Sequence, residues 1–485
     1  MSTLNSSVRN TVILAVILAI TIFLWAVPVS FFGIEELTVV QQRMIAIFIF
    51  AALMWIFEVI PNWTTSLLVV VIMLLTVSDK GISLFCDPKY GTLIDYKTIM
   101  ASFADPVVML FLGGFVLAIV ASKYGMDAAI AKVLLGMFGK NSKFVLLGFL
   151  IVISLFSMFM SNTATAAMML AFLAPVLKAL PDSETGKVAL ALSIPIAANL
   201  GGMGTPIGTP PNAIAIGALQ NAGYNIEFGS WMARMIPFVI VMVLIAWLLL
   251  LAFFPFKSKT IEIKIEPKRD RKRDWRTYVA WITFFVTILL WVTEAATGIN
   301  SNIVALIPLA VYTCTGVFKK EDISGISWSV LWLVAGGFAL GTGLNKTGLA
   351  ETLIHAIPFS SMNVVVVMIV AGCICYALSN FISNSATAAL LVPILVVVGT
   401  ALEDPASANH AQFVSMDGMY SLIPYIAVCA SLAMMFPIST PPNAIAASTG
   451  LVKTKDMAKV GIIIGVIGLV LGYFLLTKVF PFPQV

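Results

Sequence analysis

Charge is scarce in this sequence. Only 11% of the 485 residues are Asp, Glu, Lys or Arg, and 60% are hydrophobic. Soluble globular domains average about a quarter charged residues, so a soluble fold is a poor match. Uncharged stretches of about 18 or more residues recur along the chain, which predicts a polytopic helical membrane protein embedded in a lipid bilayer.

Histidine and cysteine are scarce as well, and this narrows the possible chemistry. His355 and His410 are too isolated to suggest a metal centre. The five cysteines are scattered, and only Cys86 is expected in an aqueous loop, so no disulfide framework is predicted. Cys373 and Cys375 lie in an apolar run without metal-ligand spacing, and we interpret both as packing residues. A nucleophile–base pair and a Walker lysine are missing too, so we expect neither an enzyme nor an organic cofactor.

Apolar segments predict simple membrane spans over much of the chain, whereas the stretches 144–220 and 362–450 fit no simple span. The predicted spans lie near 11–28, 40–57, 63–78, 105–122, 234–256, 277–297, 301–317, 328–345 and 461–480. Together with the irregular stretches, they predict an all-α polytopic membrane protein with about eleven spans.

Loop charge predicts the orientation, because cytoplasmic loops carry an excess of Lys and Arg. Residues 257–276 are predicted to be a basic cytoplasmic linker. The basic residues of this linker are Lys257, Lys259, Lys264, Lys268, Arg269, Arg271, Lys272, Arg273 and Arg276. With the linker inside, the N-terminus is cytoplasmic, and the loop 79–100 and the C-terminus are external. The net charge of +5 then needs no nucleic-acid partner, and the expected location is the cell (inner) membrane.

The chain contains an internal duplication. The seven residues 209–215, Thr-Pro-Pro-Asn-Ala-Ile-Ala, recur identically at 440–446. Three further pairs are Gly113-Gly114-Phe115 with Gly336-Gly337-Phe338, Ser161-Asn162-Thr163 with Ser383-Asn384-Ser385, and Trp55-x-x-Glu58 with Trp291-x-x-Glu294. Because all four pairs occur in the same order, the two halves are predicted to be structural repeats.

Each Ser-Asn segment is the polar tip of an apolar stretch. Lys143 and Lys178 flank the first stretch, whereas Asn363 and Glu403 flank the second. By the loop-charge rule, both ends of the first are cytoplasmic and both ends of the second are external. We therefore expect re-entrant hairpins at 144–180 and 363–402 that enter from opposite sides, as in inverted-repeat transporters. Length alone leaves open a pair of short spans at each place.

The two Thr-Pro-Pro-Asn segments are expected to break two further helices, around 209–212 and 440–443. Proline removes a backbone donor and clashes with the preceding turn, so the chain must unwind there. Unwound backbone within a membrane is tolerated only where it is buried in protein or faces water. A simple proline kink is the alternative, but two identical double-proline breaks favour a functional site.

Four polar breaks would offer neutral oxygen ligands to a cation. Helices that start just after Asn162, Asn384, Pro211 and Pro442 would also point N–H groups at an anion. No Lys or Arg occurs in 144–177, 188–233 or 347–452, so bound cations would have to balance a multivalent anion. Asp and Glu are absent from the tips, which argues against a carboxylate proton relay.

These motifs resemble the divalent anion:sodium symporter (DASS, or INDY-like) family, whose members carry dicarboxylates, tricarboxylates or sulfate. The resemblance covers essentially the whole chain. It implies a homodimer that works as an elevator, in which a transport domain slides past a fixed scaffold. The implied scaffold is 1–122 and 277–345, and the implied transport domain is 129–256 and 350–485.

The resemblance also implies the site residues. The sodium ligands would be Ser157, Ser161, Asn162 and the backbone at Gly208 at a first site, and Ser379, Ser383, Asn384 and the backbone at Ser439 at a second. The substrate would meet Asn162, Thr163, Thr209, Pro210, Asn384, Ser385, Thr440 and Pro441. Ser385 stands where many relatives have Thr, which keeps the hydroxyl and removes a methyl group from the pocket.

The expected function is sodium-coupled symport of a C4-dicarboxylate such as succinate, fumarate or malate, with at least two sodium ions. A sodium-independent exchanger of dicarboxylate or citrate is one alternative, because some relatives work in that way. An ion channel that uses the same polar tips is a remote one. Glu58 and Glu294 are expected to serve the scaffold or an interface rather than to touch the substrate.

Overall fold

The computed structural model describes residues 2–261, 274–356 and 362–479, with only the backbone for residues 2–7. In these ranges the regular structure is helical apart from two isolated β-bridges. The α-helices are α1 (Ser2–Ala26), α2 (Val39–Phe57), α3 (Asn62–Thr76), α4 (Tyr96–Ala101), α5 (Pro106–Lys123), α6 (Met126–Gly136), α7 (Ser142–Ser157), α8 (Asn162–Ala179), α9 (Gly186–Gly202), α10 (Pro210–Asn221), α11 (Phe228–Phe253), α12 (Trp275–Val292), α13 (Glu294–Thr297), α14 (Ser301–Val304), α15 (Leu306–Cys314), α16 (Trp328–Lys346), α17 (Leu349–Ala356), α18 (Val364–Phe381), α19 (Asn384–Glu403), α20 (His410–Ser415), α21 (Gly418–Ser431), α22 (Pro441–Ser448) and α23 (Thr454–Phe474).

Ten helical segments in the described residues are long and apolar enough to cross a membrane. They are Val8–Ala26, Val39–Phe57, Tyr96–Lys123, Asn162–Ala179, Phe228–Phe253, Trp275–Val292, Trp328–Lys346, Val364–Phe381, Asn384–Glu403 and Thr454–Val479. The all-α, multi-pass fold predicted from the sequence is confirmed.

The two irregular stretches fold as paired helices and broken helices. The first stretch contains the arms α7 and α8 and then the interrupted pair α9 and α10, and the second contains α18, α19, α21 and α22 in the same order. In each half, proline ends the interruption by occupying the first turn of the following helix, where its missing N–H has no intrahelical partner to lose.

The predicted helix starts were placed slightly too late. The helices begin at Asn162, Asn384, Pro210 and Pro441 themselves. At the tips, the hydroxyls of the preceding serines accept hydrogen bonds from backbone N–H groups in the first turn and so include the asparagines in the helices.

The segment predicted as one span at 301–317 is divided. Helix α14 ends at Val304 and α15 begins at Leu306. Pro308 has no N–H to donate to the carbonyl of Val304, so the regular hydrogen-bond ladder fails at this point. The predicted span is therefore two short helices rather than one straight helix.

The repeated Trp-x-x-Glu segments confirm that the duplication extends to the local structure. Trp55 and Trp291 are both fully buried. The indole N–H of Trp55 donates to the carbonyl of Asn62 at 3.2 Å, and that of Trp291 donates to the carbonyl of Ser301 at 3.0 Å. In both halves the tryptophan thus joins the end of one helix to the start of the next.

The two halves interlock through their broken helices. Helix α10 packs against α19 and α21 of the other half, and α22 packs against α8 and α9 of the first half. The same pairing occurs in both directions. Each break is therefore enclosed by the hairpin and broken helix of the opposite repeat, which brings the four polar interruptions into one region.

The start of the predicted basic linker is docked onto the loop between α8 and α9. Glu184 accepts hydrogen bonds from the backbone N–H groups of Gly186, Lys257 and Ser258 at 3.1, 2.9 and 2.8 Å. Burial alone would raise the pKa of Glu184, but these hydrogen bonds outweigh it and hold the pKa below its ordinary value. Residues 262–273 of the linker lie outside the described residues.

Glu294 connects two helix starts through buried hydrogen bonds. Its carboxylate is 6% exposed and accepts from the backbone N–H groups of Phe228 and Ser301 at 2.8 and 2.9 Å. It therefore joins the starts of α11 and α14.

Replacing Glu294 by alanine is expected to destabilise the fold, because two buried N–H groups would lose their acceptor at about 1–3 kcal/mol each. Thermal unfolding of the purified protein in detergent measures this as a lower melting temperature. The control is Glu321→Ala, which removes an exposed carboxylate. Equal melting temperatures for the two variants would contradict the structural role.

Candidate functional site

The first tip brings side-chain and backbone oxygens together. Ser157 Oγ lies 2.7 Å from the carbonyl oxygen of Ala198 and 2.6 Å from the side-chain amide of Asn162. This contact requires a very close approach of α7 and α9. A Cβ at Gly201 would lie 2.3 Å from the carbonyl oxygen of Ser154, so glycine is needed there. The tip is thereby held against the end of α9.

The number of hydrogen-bond donors at the first tip determines the orientation of the Asn162 side-chain amide. The single hydroxyl proton of Ser157 goes to the Ala198 carbonyl, so Ser157 Oγ must accept from the amide nitrogen. In this orientation the nitrogen also donates to the carbonyls of Ala198 and Gly208, each at 3.2 Å. Three oxygens thus converge on one point, and two of them come from predicted sodium ligands, Ser157 and Gly208.

The second tip repeats this arrangement. Ser379 Oγ lies 2.8 Å from the carbonyl oxygen of Ala430 and 2.9 Å from Asn384 Oδ1. A hydroxyl has one proton and cannot donate to both oxygens. Both Ser379 and Asn384 are buried. Ser379 Oγ, the Ala430 carbonyl and the Asn384 amide thus form the same kind of polar cluster as at the first tip.

The remaining predicted sodium ligands have structural partners as well. Ser161 Oγ and Ser383 Oγ each accept a backbone N–H at 3.2 Å, from Ala164 and Ala386. Ser439 Oγ donates to the carbonyl of Asn380 at 2.9 Å. These serines therefore fix the tip and the break in position, whether or not they also contact an ion.

The two tips differ at the position that the sequence marked as asymmetric. Thr163 is exposed, whereas Ser385 is partly buried. The shorter side chain therefore stands on the more enclosed side. A methyl group is thus absent where space is more restricted.

The two breaks have identical sequences but different hydrogen bonds. Both threonines are nearly buried, at 3% exposure for Thr209 and 6% for Thr440. The hydroxyl of Thr440 donates to Asn443 Oδ1 at 2.9 Å and accepts from the Asn443 backbone N–H at 3.3 Å. The side chain of Thr209 makes no such cap. Of the adjoining prolines, Pro210 is partly buried and Pro441 is exposed.

The asparagines of the Thr-Pro-Pro-Asn segments were missed as site residues by the sequence reasoning. Asn212 Nδ2 donates to the carbonyls of Gly202 and Thr205 at 3.1 and 2.8 Å. Asn443 Nδ2 donates to the carbonyl of Phe436 at 2.8 Å. These side chains satisfy carbonyls that the unwound segments leave without helical partners. Their identical place in both repeats was the signal that could have found them.

A contact outside the predicted site also reaches the second tip. Asn62 Nδ2 donates to Ser383 Oγ at 3.2 Å and to Glu58 Oε1 at 2.7 Å. Asn62 begins α3, far from Ser383 in the sequence. The sequence offered no signal for this pairing beyond the proximity of Asn62 to the repeated Trp-x-x-Glu segment.

Each predicted tip lies against the break of its own repeat, and the break regions of the two repeats are in contact. Comparison with known protein families identifies the family of this chain. A protein-family profile described as "Citrate transporter" matches residues 52–416. The chain belongs to this family. The resemblance to sodium symporters of divalent anions is confirmed at the level of the family, and the protein is a transporter rather than an enzyme.

Individual relatives align with nearly all of this chain. An uncharacterized transporter of Schizosaccharomyces pombe is 31% identical over 468 residues, which cover 93% of this chain and 51% of the yeast protein. This chain thus spans about half the length of that relative. The sodium-dependent dicarboxylate transporter SdcS of Staphylococcus aureus is 28% identical over 495 residues, which cover 94% of this chain and 89% of SdcS. SdcS of Staphylococcus saprophyticus is 28% identical over 462 residues, which cover 88% of this chain and 83% of that protein.

Proposed function

We propose that this transporter couples the uptake of a C4-dicarboxylate, such as succinate, fumarate or malate, to the inward movement of sodium ions. The observation that carries the proposal is the cluster of neutral oxygens at each tip, in stretches without Lys or Arg. Oxygen atoms are the ligands that hard cations prefer. The relatives named as sodium-dependent dicarboxylate transporters support the same function.

Sodium ions would bind first in this mechanism. Each tip offers one cluster of oxygens, so at least two ions are proposed, with the eight tip and break residues named above as ligands. Two sodium ions balance the charge of a dianion, and a third would make transport electrogenic. Their positive charge, together with the N-termini of the helices that begin at the tips and breaks, would then stabilise the carboxylates.

Alternating access is proposed to follow the elevator plan. Residues 1–122 and 277–345 would form the scaffold of a homodimer, and 129–256 and 350–485 would form the moving domain. The hydrogen bonds of Asn62 with Ser383 and of Phe228 with Glu294 cross this proposed boundary, so both would break as the domain moves. We further propose a cell (inner) membrane location with a cytoplasmic N-terminus and an external C-terminus.

Replacing external sodium by choline is expected to reduce labelled succinate uptake into proteoliposomes by roughly 5- to 150-fold, the usual range of coupling between two ligands. Liposomes without protein are the control for leakage. Undiminished uptake in choline would reject symport, and a requirement for internal dicarboxylate would indicate exchange instead. Flux that neither saturates nor responds to substrate on the opposite side would indicate a channel.

The same assay defines the substrate class. Unlabelled citrate and sulfate are added as competitors of labelled succinate, with and without sodium. A C4-dicarboxylate transporter is expected to be inhibited more strongly by fumarate and malate than by either of them. Stronger inhibition by citrate would reassign the substrate to a tricarboxylate.

A further inference from the structure

Asn199 occupies the point at which the two repeats meet. It is 1% exposed and lies in the last turn of α9, next to Ala198. The Ala198 carbonyl belongs to the oxygen cluster of the first tip. The Asn199 side chain, however, contacts the second repeat. Two adjacent residues of α9 thus contact the oxygen cluster of the first tip and the break of the second repeat.

The amide nitrogen of Asn199 holds the second break. It donates to Thr440 Oγ1 at 3.2 Å and to Asn443 Oδ1 at 3.3 Å. Thr440 is a proposed substrate contact, and Asn443 closes the loop before α22. Both acceptors fix which end of the amide carries the nitrogen. Asn199 therefore helps Asn443 to hold the Thr440 hydroxyl in position.

The amide oxygen of Asn199 has no hydrogen-bond partner among the described residues, although it is buried. A buried acceptor without a partner is costly, so a partner is expected in the working protein. A dicarboxylate brings only acceptors and cannot serve. Of the two species proposed to be transported, only the cation can satisfy this oxygen.

The second repeat lacks the equivalent contact. Ser431 follows Ala430 as Asn199 follows Ala198, and both alanine carbonyls accept from a tip serine. Ser431 Oγ is buried and, within the described residues, unpaired. Asn212 Oδ1 is also unpaired, whereas its counterpart Asn443 Oδ1 is paired by Asn199 and Thr440. The link between repeats is therefore one-sided.

We propose that Asn199 couples cation binding in the first repeat to the substrate pocket of the second. Its oxygen is a cation ligand, and its nitrogen positions Thr440 for the substrate carboxylate. A cation bound to the oxygen holds the amide in the orientation in which its nitrogen bonds Thr440. The inference rests on the proposed sodium-coupled transport and adds to it a direct connection between the two half-sites.

The test uses the purified full chain in proteoliposomes, with sodium and labelled succinate as the probes. Asn199→Ala is expected to raise both the half-saturating sodium concentration and the KM for succinate by about five- to tenfold. Asn199→Asp keeps an oxygen but loses the donor and adds negative charge, so sodium affinity should be retained while the KM for succinate rises. A purely structural role would lower the maximal rate without separating these two constants.

Ser431→Ala is the matched control, because it removes a side chain at the equivalent position that bonds to nothing described. It is expected to change both constants less than twofold, a difference within the range of a single lost weak contact. Equal shifts in Ser431→Ala and Asn199→Ala would overturn the inference, as would wild-type constants in Asn199→Ala. Sodium-independent uptake by the wild-type protein would instead overturn the proposed function, and the inference with it. Monodisperse elution of each variant shows that it is folded before its constants are compared.

Discussion

Asn162→Ala and Asn384→Ala are each expected to abolish sodium-dependent dicarboxylate uptake. Each substitution removes an amide from a cluster of oxygens around a tip serine. In the proposed mechanism the same amide contacts an ion and the substrate, so two interactions with charged groups are lost at about 1.5–3 kcal/mol each. A decrease in uptake of at least roughly 100-fold is therefore expected.

The measurement is succinate uptake into proteoliposomes across a range of sodium concentrations. Asn225→Ala is the control, since Asn225 is an exposed asparagine in the loop after α10. The variants should still elute as folded protein, because each tip is also held by its capping serine. Wild-type uptake by either tip variant would show that the transport site lies elsewhere.

The second large effect is expected at the asparagines that close the breaks. Asn212→Ala would leave the carbonyls of Gly202 and Thr205 without their donor, and Asn443→Ala would do the same to Phe436. Each orphaned buried group costs about 1–3 kcal/mol. We therefore expect these variants to lose stability as well as transport, in contrast to the tip variants.

Thermal unfolding in detergent, followed by uptake in proteoliposomes, separates these two classes. Asn443→Ala should have the larger effect on transport, because Asn443 also holds Thr440 and Asn199. Asn225→Ala again serves as the exposed control. A melting temperature unchanged in both break variants would show that the unwound segments do not depend on these side chains.

Local sequence determined the main features of the architecture. Apolar length predicted the spans, and the repeated motifs predicted two paired-helix segments and two broken helices in the correct order. These features depend on local chemistry, since a proline pair must interrupt a helix wherever it occurs. The exact helix starts were less predictable, because serine capping drew Asn162 and Asn384 into the helices.

In the candidate site too, contacts between near neighbours in the sequence were predictable and long-range contacts were not. The sequence placed Ser157 with Asn162 and Ser379 with Asn384, which lie only five residues apart and occupy the same turn of the chain. By contrast, the contact between Asn62 and Ser383 joins residues separated by 321 positions. No local pattern specifies such a pairing, because it depends on how separate helices pack.

The two Thr-Pro-Pro-Asn segments show most clearly what only the tertiary structure decided. Their seven residues are identical, so sequence alone predicts the same structure twice. In the folded chain the side chain of Thr440 caps α22 and accepts a hydrogen bond from Asn199. The side chain of Thr209 does not cap α10. The physical reason is the neighbour from the opposite repeat: an asparagine reaches one break, and the shorter Ser431 stands at the equivalent place for the other. The sequence by itself determined where the chain must open, and packing between the repeats decided which hydrogen bonds each opening makes.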